Sequence, residues 1–150
     1  MKSLNLFTVL VMLVAHSACS QMNNAANLSK AGETESDKKK IEKASVFANK
    51  FMNTLSKGQS YVFSDEATEA IKTLLTEKAQ KDVFNDVTSQ YGDYVGHDFQ
   101  EAWIQNSAYF IARYKCDFIK GKDKVELRIV LDETNKVAGI WLKPWSDVLM

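Results

Sequence analysis

Histidine, cysteine and proline are scarce in this chain, and each shortage closes off a kind of chemistry. Two histidines, His16 and His97, and two cysteines, Cys19 and Cys116, are spread over 150 residues. Zinc sites draw their ligands from clusters of such residues at short spacing, and the sequence has no such cluster. One pair of cysteines builds no disulfide framework. His97 is the one histidine beyond the leading segment, so no Ser-His-Asp arrangement suggests itself. No glycine-rich phosphate loop occurs among six glycines. Pro144 is the single proline, and no internal repeat is present. Basic and acidic residues balance at net charge +0. Nucleic-acid binders carry a basic surplus, so nucleic acid is not an expected partner. No cofactor and no metal are expected.

What is present begins with an export signal. Met1-Lys2-Ser3 supplies a positive charge, and an apolar run follows from Leu4 to Ala15, interrupted by Asn5 and Thr8. Small residues come next, at Ser17, Ala18 and Ser20. That order is the pattern of a secretory signal. The run falls short of the ~20 apolar residues that a spanning helix needs. Residues 1–18 are therefore expected to be a signal peptide. Val14-Ala15-His16-Ser17-Ala18-Cys19 resembles a bacterial lipobox, with His16 where an aliphatic residue is usual. The resemblance implies lipid attachment at Cys19 and a membrane as partner. Ordinary cleavage after Ser17 or Ala18, giving a soluble secreted or periplasmic protein, is the alternative. Residues 19–35 are polar and without period, which suits a lipidated tether. Ser20, rather than Asp, after Cys19 resembles lipoproteins sent to the outer rather than the inner membrane.

Residues 36–150 are long enough for one domain. Ile41, Ala44, Phe47, Ala48, Phe51 and Leu55 recur at steps of three and four, predicting a helix from Ser36 to Gly58 with Ser36 as its cap. A second helix is expected over Asp65–Leu75 with Ser64 as cap, and a third over Glu77–Tyr91, stopped by Gly92. From His97 the period changes to two, predicting strands over 97–105, 109–119, 125–131 and 136–143. Matching the apolar faces pairs Phe118 with Val125, Cys116 with Leu127 and Tyr114 with Ile129. The opposite face, with Arg113, Lys115, Asp117, Glu126 and Arg128, is expected to be solvated. Helices followed by a strand meander describe an α+β fold, with N-terminal helices packed on a curved antiparallel four-strand sheet.

That order, the helix through Phe47, Phe51 and Leu55 into Lys57-Gly58, the Tyr91-Gly92 stop and the closing Asn135-Lys136-Val137-Ala138-Gly139-Ile140 before Pro144 resemble a known pattern. The chain resembles the bacterial family catalogued as domain of unknown function 3887, within the nuclear-transport-factor-2-like (cystatin-like) cone superfamily. The resemblance implies a cone fold and frequent export to the cell envelope. It implies no activity and no functional residue.

A cone can enclose a pocket, and Trp103, Tyr114 and Trp141 are the candidate lining, with Trp145 nearby. The expected role is a non-catalytic envelope module binding a small apolar ligand or an envelope protein. The alternative is a small isomerase- or dehydratase-like enzyme using His97, Asp98 or Tyr114 as acid or base. Homodimerisation through the sheet is a further expectation.

Overall fold

The computed structural model describes residues 27–149, so the signal segment and Cys19 lie outside the described residues. Its elements run β1 (Leu28–Ala31), α1 (Glu35–Ser56), α2 (Glu69–Leu74), α3 (Glu77–Tyr91), β2 (Tyr94–Gln105), β3 (Tyr109–Phe118), β4 (Val125–Leu131) and β5 (Val137–Pro144). The α+β order stands. The sheet is antiparallel with strand order β1-β2-β3-β4-β5, so it has five strands rather than four. The extra strand falls inside the segment expected to be tether. Leu28 pairs with Gln105 and Ala31 with Ala102. An edge strand needs only backbone partners on one side, so a polar stretch can supply it. Among the described residues, no helix is long and apolar enough to cross a membrane.

The α1 helix forms for the reason its spacing gives: Ala44, Phe47, Ala48, Phe51, Met52 and Leu55 are buried on one face. Its cap is Thr34, not Ser36. The Thr34 hydroxyl accepts from the Asp37 amide at 3.0 Å, and the Asp37 carboxylate accepts from the amides of Thr34 and Gly32. This reciprocal pair needs an acid three residues after the cap, which Thr34 has and Ser36 lacks. The second helix starts later than its sequence suggests. Glu66 C=O accepts from the Val137 amide at 2.8 Å, and the Thr68 amide donates to Val137 C=O at 3.0 Å. The backbone at 66–68 extends the β5 edge, and α2 begins from Thr68 as cap. The α3 helix runs as expected. Gly92, at φ 79, ends it by donating to Thr88 C=O at 2.7 Å.

The helices cover one face of the sheet. Phe110, Ala112, Tyr114, Cys116 and Phe118 of β3, with Val125, Leu127, Ile129 and Leu131 of β4, join the α1 residues in a single core. The faces are those the alternation gives, but the register is displaced by two residues. Cys116 stands opposite Val125, Tyr114 opposite Leu127 and Ala112 opposite Ile129. The turn explains the displacement: Phe118 C=O accepts from Gly121 N–H and Gly121 C=O from Lys124 N–H, so 118–124 are spent on the connection.

The opposite face is not solvated. Arg113 and Glu126 are fully buried there, and Arg128 nearly so. Arg113 donates to Glu126 through Nε at 3.0 Å and Nη2 at 2.9 Å, and Arg128 Nε donates to Glu126 at 2.7 Å. Glu126 thus sits between two cations. Burial opposes its charge, but these hydrogen bonds outweigh that and hold its carboxyl below the usual range. Trp141 lies across this face: a Cβ built on Gly139 would come within 2.2 Å of its ring. Glycine is required at 139 for that close approach.

Candidate functional site

The sequence-proposed lining residues do not line one cavity. Tyr114 is buried on the helix face. Trp103 stands opposite Ile111, and Trp141 opposite Arg128, both on the other face of the sheet. The reason is parity. Ala102 and Ile104 flank Trp103 and face the helices, as do Ile140 and Leu142 around Trp141. A cavity of about 20 Å³ lies between α1, α3 and β5, against Phe51, Leu55, Val83, Ile140 and Leu142. That is room for roughly one water.

A different group of residues comes together where β2 emerges from the core. Two bulges interrupt its pairing with β3, one between Tyr94 and Gly96 and one between Phe99 and Glu101. The first changes the parity of the strand, so Tyr94 and His97, three residues apart, share the helix face. Tyr94 Oη hydrogen-bonds His97 Nδ1. The His97 ring meets Tyr114 edge-on at 5.3 Å, and Phe99 meets the same ring at 5.7 Å. Tyr114 Oη and Ser45 Oγ of α1 share a hydrogen bond at 3.0 Å. Tyr94 and His97 are half-buried, and Phe99 is 39% exposed. The group therefore forms a half-buried patch, polar at Tyr94, His97 and Ser45 and apolar at Phe99. Among the described residues, β1 pairs only with 102–105, so this half of β2 carries a strand on one side alone.

Electrostatics define what the patch can do. Burial pushes the Tyr94 hydroxyl well above its ordinary value, so it stays protonated. Burial also raises Tyr114 to about 12, with the Ser45 hydrogen bond pulling the other way. Burial lowers the His97 pKa, against the pull of Asp98, so the imidazole is neutral at pH 7. The Tyr94 hydroxyl and His97 Nδ1 share this hydrogen bond, and either is the donor according to the imidazole tautomer. With Nδ1 engaged, Nε2 is the second hydrogen-bonding atom of the ring. Asp98 does not orient the ring, because it stands opposite Lys115 on the other face. Cys116, next to this patch, is pushed up to about 12 by burial and is no nucleophile. Among the described residues, no group of His, Cys, Asp or Glu could hold a metal ion.

His97 and Tyr114 were legible as candidates, but Tyr94 and Ser45 were not. Ser45 flanks the apolar stripe of α1 and reads as surface. Tyr94 joins only through the bulge, for which Gly96 is the faint sequence sign.

The family model described as "Protein of unknown function (DUF3887)" matches residues 48–140. That span holds α2, α3, β2, β3 and β4, the C-terminal part of α1 and the start of β5, with Tyr94, His97 and Tyr114. The chain belongs to this family. No curated protein and no solved structure matches it.

Proposed function

We propose that this member of the DUF3887 family is an exported, lipid-anchored module of the bacterial cell envelope that binds a ligand or partner rather than transforming one. The observation that carries the binding reading is the Tyr94–His97 hydrogen bond. It engages Nδ1 and leaves Nε2 to meet a ligand, with the hydrogen-bonded Ser45 and Tyr114 hydroxyls and the Phe99 ring in the same group. Such a surface suits a polar group carried on an apolar one. The sheet and helices are consistent with the nuclear-transport-factor-2-like cone. The leader and Cys19 support the anchor, with the outer membrane as the destination.

Nitrogen-detected NMR of the His97 ring during a fragment screen tests the binding reading. Ligands should shift Nε2, and His97→Ala should abolish their binding. If a substrate screen instead finds turnover that His97→Ala and Tyr114→Phe remove from folded protein, the binding reading fails and the enzyme reading replaces it. The anchor has its own test. Cys19→Ala should move the protein from the detergent to the aqueous phase, and mature protein with intact Cys19 found in the aqueous phase overturns lipidation.

A further inference from the structure

The buried guanidinium of Arg113 lies on the sheet face opposite the helices, so something else must exclude water from it. The segment after β5 does so. The Trp145 ring covers the guanidinium, with 4.3 Å from ring centre to Cζ, and Lys115 Nζ lies 4.8 Å from the same ring. Arg113 Nη2 donates to the backbone carbonyl of Ser146. The Trp145 amide donates to Lys124 C=O at 2.8 Å. Asp147 accepts from Trp145 Nε1 at 2.9 Å. Residues 145–147 thus form a strap without regular structure, and the chain turns outward again at Val148, which is 61% exposed.

The strap does not build the site that it covers. Glu126 and Glu101 hold the Arg113 fork through Nε, Nη2 and Nη1, all from within the sheet. What the strap adds is a flat aromatic ring over the cations and one peptide carbonyl. Any extended polypeptide with an aromatic residue can offer both. Arg113, Arg128, Lys115 and Lys143 share this face with Glu126, Glu101 and Asp98, so it is charged but without a clear excess of either sign.

We propose that the Arg113 face is a peptide-binding site occupied in cis, and that an extended partner segment carrying an aromatic residue and, one residue on, a free backbone carbonyl displaces the strap. The site lies across the sheet from the His97 patch and does not depend on it. A labelled peptide of residues 143–149, added to the full chain, tests this. The strap competes in cis, so a full chain carrying Trp145→Ala should bind the peptide about tenfold more tightly than the unaltered chain. The same peptide with Trp145→Ala should bind to neither. Equal affinity for both chains, or no binding to a Trp145→Ala chain with native circular dichroism, overturns the proposal. Should Trp145→Ala fail to fold, hydrogen exchange on the unaltered chain decides. A Trp145 amide that exchanges much faster than the β4 amides supports a releasable strap, and one that exchanges at their rate overturns it.

Discussion

The two faces of the sheet are both buried, by opposite means. Toward the helices, side chains from β3 and β4 meet α1 with apolar surface and one hydrogen bond, Tyr114 to Ser45. Away from them, β4 buries Glu126 and Arg128 under aromatic rings and a strap. Glu126 and Leu127 are adjacent, fully buried and on opposite faces. Burial alone therefore says little about what holds a residue in place. On the helix face the contribution is nondirectional and scales with area. On the other face it rests on a few fixed hydrogen bonds, and removing one partner strands the rest.

The sharpest way to break the comparison is Glu126→Gln. It keeps the shape but leaves Arg113 and Arg128 without their shared carboxylate, and a loss of about 3–5 kcal/mol in urea unfolding is expected. Leu127→Ala, one residue along, should cost about 3 kcal/mol through the cavity it leaves. A loss for Glu126→Gln much smaller than for Leu127→Ala would mean that water reaches the ionic face. Gly139→Ala drives a Cβ into the Trp141 ring, and about 1–3 kcal/mol of destabilisation with altered tryptophan fluorescence should follow. Thr34→Ala removes the α1 cap at a cost of about 1 kcal/mol.

The smallest effect separates the faces by pH. The His97 pKa in the folded chain lies below its ordinary 6.5, so the unfolded chain binds the proton first. Stability is then full above about 6.5 and falls as pH drops from there to the folded pKa. His97→Gln should flatten thermal midpoints across that window. Glu126 behaves differently. Its folded pKa lies below 4.5, so its contribution is lost only as pH falls from about 4.5 through the folded pKa.

Legibility followed period. A stripe at 3.6 marked α1, and a stripe over Glu77–Tyr91 with Gly92 as stop marked α3, because helix patterns and stops are local. Strand faces were equally plain, but a period of two is blind to a shift of two, and the β3–β4 register hung on which carbonyls the turn consumed. β1 has a polar sequence, and only Ala102–Gln105 make it a strand. Trp103 and Trp141 read as pocket lining, although they lie on the face away from the helices. On that face Arg113 is covered by residues 145–147, a contact that no spacing rule reaches. The patch was half visible, since His97 and Tyr114 stood out by type while a bulge brought in Tyr94.

The place of β1 has a mechanical consequence. Its first residue, Leu28, is paired at the Gln105 end of β2, so a pull on the N-terminus loads that pair before any other part of the sheet. Four residues of edge strand are a weak seam, and peeling them away pays out about 13 Å of extra chain at roughly 3.3 Å per residue. Under the proposed lipid anchor at Cys19, the seam would act as a mechanical fuse that yields before the rest of the sheet.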